Sequence, residues 1–204
     1  TDVKAMTKVP TPKILHEIID RLKDAKAELN AGAKFLQTLP IPDFERETEY
    51  ISLYKKGDYA LLEGNIFSSD SGETLYKNYR EMTNEYLCDH STAKRTKHAR
   101  KSFMVGALAR FNNSYEWLSP DAKQLAEDLG LKAPSHNPYM VTVAQFVELM
   151  HIADDAIAAA EELLNMDVKL EDRSFPLKAG TGVGAVEVPR GILYHEYTYN
   201  DQGY

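Results

Sequence analysis

The residues with the clearest potential for chemistry lie near the C-terminal end of the sequence, in a glycine-rich segment with a single arginine. This segment, residues 180–191, reads Gly-Thr-Gly-Val-Gly-Ala-Val-Glu-Val-Pro-Arg-Gly. Pro189 fixes its own φ and biases Val188 towards an extended conformation. The Arg190 side chain therefore projects from a stiff backbone just before a predicted strand. Gly191, which has no side chain, leaves space next to it.

The glycine spacing does not match the common nucleotide-binding motifs. The Gly-x-x-x-x-Gly-Lys-Ser/Thr pattern of a phosphate loop is absent, and the residues after Gly184 predict extended chain rather than the helix that a dinucleotide site needs. On these grounds alone, a tight turn into a β-hairpin with a surface arginine is the favoured interpretation.

Three other groups of residues could suggest a site. Glu148 and His151 have the spacing of half a carboxylate-bridged di-iron motif, but a second such pair is missing, so a metal site is disfavoured. The basic residues of 94–101 could contact a phosphate or an acidic partner, but a solvated loop surface is the favoured interpretation. Cys88 is the single cysteine, which excludes an intrachain disulfide and a cysteine-rich metal site.

Composition narrows the class of protein. The 204 residues fit one domain, or one compact piece of a larger subunit, and 43% hydrophobic residues suffice for a core. The net charge is 24 − 31 = −7, which disfavours general nucleic-acid binding. We expect no membrane span, because no apolar run approaches the roughly 18 residues that a span requires. We also expect a cytoplasmic location, because the chain opens without a secretory signal.

Three helices are predicted from capping residues and apolar periodicity. The first begins at Thr11-Pro12, where a hydroxyl can cap a helix with proline at its first position, and is expected to break near residues 30–32. A short helix runs from Ser119-Pro120 to Gly130. The longest periodic segment covers residues 141–164.

The remaining segments predict a minor β part. Residues 50–54 and 59–67 are β-like and separated by a turn signal, and residues 192–199 alternate as a strand. Residues 74–90 are ambiguous, and an irregular helix is favoured there. A turn signal at 200–203 has no returning strand, which suggests a piece of a longer chain or a strand supplied by another molecule. The predicted fold is mainly α with a minor β part: two long helices, one short helix and small β-hairpins.

Two segments resemble nickel–iron hydrogenase large subunits. Residues 182–197, Gly-Val-Gly-Ala-Val-Glu-Val-Pro-Arg-Gly-Ile-Leu-Tyr-His-Glu-Tyr, are similar to the family's G-x-G-x-x-E-A-P-R-G-x-L-x-H-x-Y segment. Residues 105–112 are similar to its V-G-P-L-A-R-x-N, with Ala107 in place of the proline. Arg110 lies among apolar residues there, so it is predicted to be a buried charge with a partner, most simply a structural salt bridge.

The resemblance implies a function that this chain alone cannot perform. In that family, nickel and an iron that carries cyanide and carbon monoxide are bound by four cysteines in two Cys-x-x-Cys motifs, neither of which this sequence contains. The chain thus resembles the central part of the large subunit, without metal ligands and inactive alone. Its implied partners are the iron–sulfur small subunit and the remainder of that large subunit.

The same resemblance assigns roles to residues of the glycine-rich segment. Arg190 would be the active-site guanidinium, and Val188 and Pro189 would line the pocket of the iron's ligands. Glu187 would anchor the loop rather than move protons, and His195 would support the site from outside or be structural.

Two alternatives remain open at this stage. The quinone-reducing subunit of respiratory complex I shares the fold, but Ile192 follows Arg190-Gly191 where that family tends to have glutamate. A non-catalytic helical interaction module would need no missing cysteines. Paired Cys-x-x-Cys motifs in a longer reading frame would favour the hydrogenase interpretation.

Overall fold

A computed structural model describes residues 8–169, 174 and 176–204. Within these residues it contains four α-helices, eight β-strands and short 3₁₀ turns. The mainly α architecture with a minor β part agrees with the prediction, while several elements differ in detail.

Two long helices, α1 (Pro12–Leu36) and α4 (Val141–Asn165), pack against each other. Thr11 caps α1, since its Oγ1 accepts a hydrogen bond from the Ile14 N–H at 3.4 Å. The predicted break at residues 30–32 is wrong, because α1 continues through it to Leu36. Gly32 lies in the contact: a Cβ there would be 2.9 Å from the ring of Phe146, so glycine lets the two helices approach closely.

Two short helices complete the helical part. The predicted short helix is α3 (Pro120–Asp128), capped by Ser119 and followed by Gly130 with φ +71°. The sequence predicted burial but no helix for α2 (Ala107–Ser114), most of whose side chains are buried. The main core joins residues of α2, α3 and α4: Ala107, Leu108, Phe111, Ala122, Leu125, Ala126, Val143, Ala144, Val147 and Met150.

A four-stranded sheet has the order β3-β2-β1-β6, with β1 and β6 parallel and the other neighbours antiparallel. Its strands are β1 (Glu49–Tyr54), β2 (Asn65–Ser68), β3 (Gly72–Thr74) and β6 (Phe103–Met104). The prediction of β structure for 59–67 holds only from Asn65 onwards.

The irregular helix predicted over residues 74–90 is largely wrong. Residues Tyr76–Glu81 form a 3₁₀ turn, and the chain then enters β4 (Asn84–Cys88), which pairs with β5 (Ser91–Lys97). The basic residues of 94–101 therefore begin on a strand rather than a loop. Most side chains of β5 are exposed, as expected for a solvated surface.

The glycine-rich segment is itself a strand, not a loop. It forms β7 (Gly180–Val188), which pairs antiparallel with β8 (Gly191–Tyr199) along the whole length of both. The predicted side-chain alternation in β8 holds, since His195, Tyr197 and Tyr199 stack in succession on one face. The predicted turn after β8 is present, with the Gly203 N–H donating to the Asn200 carbonyl at 3.0 Å.

The two long helices do not have the character of membrane spans. Among the described residues, no helix combines the length and the apolar character needed to cross a bilayer.

Candidate functional site

The connection between β7 and β8 is a tight turn formed by Val188, Pro189, Arg190 and Gly191, which we call the arginine turn. Val188 pairs with Gly191, which leaves Pro189 and Arg190 as the two turn residues. Proline at the second position and glycine at the fourth suit a β-turn. Val188, Pro189 and Arg190 are all exposed. Within the part of the chain that the structure describes, the Arg190 side chain has no hydrogen-bond or ion-pair partner.

A second arginine, Arg110 of α2, lies directly beneath this turn and is only 3% exposed. Its Nη1 donates to Glu187 Oε2 at 2.7 Å and to the Val188 carbonyl at 3.0 Å. Its Nη2 donates to the Pro189 carbonyl at 3.2 Å. Arg110 thus binds the three residues that immediately precede Arg190.

On its other side, Arg110 forms a bidentate pair with Glu148 of α4. The Nε–Oε1 and Nη2–Oε2 distances are 2.6 and 2.7 Å. The Tyr59 hydroxyl donates to the same carboxylate, at 2.7 Å from Glu148 Oε1. We call Arg110, Glu148, Glu187 and Tyr59 the Arg110 cluster. The prediction that Arg110 is a buried charge in a salt bridge is confirmed.

Glu187 connects the cluster to the sheet. Its Oε1 accepts the Leu53 N–H of β1 at 2.7 Å, and its own N–H donates to the Leu61 carbonyl at 2.8 Å. The residue is 8% exposed, so its charge is compensated by Arg110 and by backbone rather than by water. These bonds fix the end of β7 against the neighbouring strand and loop.

The buried position alters the acid–base properties of the cluster. Burial lowers the pKa of Arg110, but the hydrogen bond and charge of Glu148 and the charge of Glu187 outweigh it, so the pKa rises and the guanidinium stays charged. Burial raises the pKa of Glu187, and the charge of Arg110 and the Leu53 N–H oppose this. Burial and the Glu148 charge raise the pKa of Tyr59 well above its ordinary value, so its hydroxyl remains a donor.

Two glycines allow the arginine turn to lie against the start of α2. Gly106, with φ +84°, adjoins the turn so closely that a Cβ would be 3.0 Å from the Arg190 carbonyl oxygen. Gly191, with φ +156°, faces Val105, where a Cβ would be 2.7 Å from a methyl group. The backbone of Arg190 therefore has little space to move towards α2.

The predicted site residues do not all come together. Glu187, Val188, Pro189 and Arg190 are consecutive around the turn, with Glu187 buried and the other three exposed. His195 lies on β8 opposite Gly184, exposed, with its Nδ1 2.9 Å from the Tyr197 hydroxyl oxygen. It makes no contact with the Arg110 cluster among the described residues.

Glu148 and Tyr59 are members of this cluster that the sequence did not predict. Glu148 had drawn attention only as half of a metal motif with His151. In the structure its carboxylate binds Arg110 and Tyr59, while His151 Nδ1 accepts the Ser119 N–H at 3.1 Å. Glu148 lies next to the apolar positions Val147 and Met150 in the sequence. That position indicates a buried carboxylate, which could have identified Glu148 as the partner of Arg110.

The described residues do not fit a nickel–iron centre as its ligands. They contain no group of three or more His, Cys, Asp or Glu side chains that could hold a metal ion. Cys88 is a free thiol on β4, and one thiolate cannot replace the set of soft ligands that such a centre takes.

Comparison with known proteins indicates the class of protein in which this arrangement occurs. No family model matches the chain. The alpha subunit of sulfhydrogenase 1 from Pyrococcus furiosus is 28% identical over 191 residues, which cover 92% of this chain and 44% of that protein. The corresponding subunit of the F420-non-reducing hydrogenase vhu from Methanococcus voltae is 30% identical over 173 residues, covering 77% and 40%. The curated relatives are hydrogenase large subunits.

Solved structures agree on the fold. An NAD+-reducing nickel–iron hydrogenase in its H2-reduced state superimposes with a TM-score of 0.76 at 18% identity, over 96% of this chain and 48% of that one. A nickel–iron–selenium hydrogenase of Dm. baculatum gives a TM-score of 0.60. The chain spans less than half the length of the curated relatives given above. These relatives do not favour the quinone-reducing subunit or the interaction module.

Proposed function

We propose that this chain forms the central part of a nickel–iron hydrogenase large subunit, an oxidoreductase that interconverts dihydrogen with protons and electrons. Support comes from hydrogenase relatives that match over most of the chain and from the shared fold. The observation that carries the proposal is the arginine turn, which presents an exposed guanidinium on a backbone held by a buried arginine.

In this proposal, Arg190 forms part of the active-site wall. A guanidinium offers several N–H donors in a fixed plane, which suits a cyanide ligand of the iron. Donors fixed in advance cost little reorganisation when charge develops in the reaction. Val188 and Pro189 line the same wall, Glu187 anchors the turn, and His195 on β8 supports the site from outside or is structural.

The nickel–iron centre, with its cyanide and carbon monoxide ligands, would supply the binding and cleavage of dihydrogen when held by cysteines from outside this chain. The residues described here would orient the wall and exclude water from it. The isolated 204-residue chain is therefore expected to be inactive. Its partners are an iron–sulfur small subunit that takes up the electrons and the remainder of its own large subunit.

The test is metal content and dihydrogen-dependent dye reduction by the full-length enzyme and its Arg190→Lys variant. Arg80→Lys is the matched control, because Arg80 is an exposed arginine that pairs with Glu196 on the same hairpin. We expect about one nickel per large subunit in all three proteins, and loss of most activity only in Arg190→Lys. A parent enzyme without nickel would refute the hydrogenase proposal.

A further inference from the structure

The Arg110 side chain uses its full hydrogen-bonding capacity. An arginine has five N–H groups. Here one goes from Nε to Glu148, two go from Nη1 to Glu187 and the Val188 carbonyl, and two go from Nη2 to Glu148 and the Pro189 carbonyl. A salt bridge with Glu148 alone would need only two of them. The other three all bind the segment that leads into Arg190.

The hydrogen bonds of Arg110 to backbone indicate which part of the chain it holds. The two backbone carbonyls that Arg110 binds belong to the residues directly before Arg190. Gly106, one helical turn before Arg110, also lies against the Arg190 carbonyl, with no room for a side chain. The backbone at Arg190 thus lies against the start of α2 at Gly106 and is preceded by two carbonyls that the Arg110 side chain binds, while the Arg190 side chain has no hydrogen-bond or ion-pair partner among the described residues.

Glu148 fixes Arg110 in turn. The bidentate pair fixes the plane of the guanidinium, and the hydrogen bond from the Tyr59 hydroxyl fixes the orientation of the Glu148 carboxylate. The chain of contacts therefore runs from α4 through Arg110 to the arginine turn, across residues that are distant in the sequence. It joins the two segments whose resemblance to hydrogenases was separate in the sequence.

We infer that Arg110 and Glu148 are positioning residues for Arg190: they set where the turn holds its guanidinium, without touching substrate themselves. This inference rests on the proposed function of Arg190. It predicts that the catalytic effect of Arg110 is exerted through Arg190, whereas a purely structural salt bridge would act on the fold as a whole.

A double-mutant cycle in the full-length enzyme distinguishes a positioning role of Arg110 from a purely structural one. Arg110→Lys keeps the positive charge but cannot reproduce five donors in a plane, so we expect kcat to fall about 10²-fold with nickel content and KM little changed. In an Arg190→Lys background, the same substitution should cause little further loss, because the residue that it positions is already changed.

Arg100→Lys is the matched control for the cycle. Arg100 also forms a bidentate pair, with Asp70, but it lies near β1 and β2 and does not contact the arginine turn. We expect wild-type kcat from this variant. Glu148→Gln provides a second route to the inference. It leaves every acceptor of Arg110 in the turn, but it removes the charge of Glu148 and replaces one of the two oxygens that set the guanidinium by an amide donor, so kcat should also fall, by a smaller factor than in Arg110→Lys.

Amide hydrogen exchange of the same enzymes gives a readout independent of activity. Arg110→Lys should speed exchange at the amides of Val188, Arg190 and Gly191 while leaving α1 unchanged, and Arg100→Lys should leave both at the wild-type rate. Exchange that rises throughout the chain would show a structural role and overturn the inference.

The other outcomes are equally distinct. Equal losses from Arg110→Lys in the wild-type and Arg190→Lys backgrounds would overturn the inference, as would loss of nickel from both Arg110→Lys and Glu148→Gln. Wild-type activity in Arg190→Lys alone would instead refute the proposed role of Arg190. Failure of the inference and failure of the proposed function therefore give different results.

Discussion

Among the described residues, two clusters of buried carboxylates solve the same physical problem differently. In the Arg110 cluster, Glu148 and Glu187 share one arginine that is itself buried. In the second, the Glu49 cluster, a fully buried Glu49 accepts the Ser68 hydroxyl at 2.5 Å and the Ala99 N–H at 3.0 Å, and lies 2.5 Å from His98 Nδ1.

The difference lies in what compensates the charge. Glu49 is surrounded by neutral donors and a histidine from its own sheet and the adjoining segment, so its cluster is a local support for β1 and β2. The Arg110 cluster instead depends on one permanent cation that ties α2, α4 and β7 together. The arginine turn is therefore supported by one side chain, that of Arg110. We expect a single substitution to destabilise the Arg110 cluster more than the Glu49 cluster.

The largest effect is expected from Arg110→Met. It would leave two buried carboxylates without their cation, so we expect the free energy of unfolding to fall by about 3–5 kcal/mol. Chemical unfolding of the chain measures this. Arg100→Met is the control: the Arg100 side chain is 38% exposed, so solvent screens its ion pairs and its loss should cost much less. Equal losses in the two variants would contradict the difference between buried and exposed pairs.

Glu49→Gln should have the next largest effect. Its amide group would place a donor against the N–H groups of Ala99 and Arg100 or against Ser68, so we expect a loss of about 2–3 kcal/mol. Glu47→Gln changes an exposed carboxylate two residues away and should cost about 0.5 kcal/mol. If Glu49→Gln were as mild as Glu47→Gln, the Glu49 cluster would not be a support of the sheet.

Gly106→Ala tests the contact of the arginine turn with α2. The backbone of Gly106, with φ +84° and ψ −159°, belongs almost exclusively to glycine, and the Arg190 backbone blocks the space for a Cβ. We expect a loss of about 2 kcal/mol. Gly72 also has positive φ, +82°, but nothing lies within 4 Å of a Cβ there. Gly72→Ala should therefore cost less, and the excess in Gly106→Ala measures the contact; no excess would show that the turn is free to move.

The smallest expected effect is a loss of stability at acidic pH, caused by protonation of His151. Burial lowers the pKa of His151, whose ring packs edge-on to Tyr59 of the Arg110 cluster, while the carboxylates of Asp155 and Asp154 oppose the shift. Because the unfolded chain then binds a proton more readily, stability should fall as the pH drops below about 6.5 towards the folded pKa. His151→Asn retains an acceptor for the Ser119 N–H without titrating, so its unfolding midpoint should change less between pH 7 and pH 5. Identical profiles would exclude His151 as the source.

Local patterns in the sequence were enough to predict α1, α3 and α4, apart from the break expected inside α1. The apolar stripes of α1 and α4, and the Thr11-Pro12 and Ser119-Pro120 starts, depend on neighbours a few residues apart. The same logic failed at residues 74–90, because Leu75, Tyr79, Met82 and Tyr86 happen to have helical spacing. There the 3₁₀ turn and the pairing of β4 with β5 decided the structure instead.

The site was predictable only in part. The burial of Arg110 and its need for a partner followed from its apolar neighbours. The partners themselves did not, because Glu148 and Glu187 are 38 and 77 residues away in the chain and meet Arg110 only after α4 and β7 have docked. The role of Glu148 was hidden for the same reason, since its spacing to His151 suggested a different chemistry.

The most direct test of the central claim is the infrared spectrum of the full-length enzyme, compared with those of its Arg190→Lys and Arg80→Lys variants. If the guanidinium of Arg190 donates to a cyanide ligand of the iron, the cyanide stretching bands should shift in Arg190→Lys and remain at their wild-type positions in Arg80→Lys. Cyanide bands at identical positions in all three proteins would contradict the placement of Arg190 in the active-site wall.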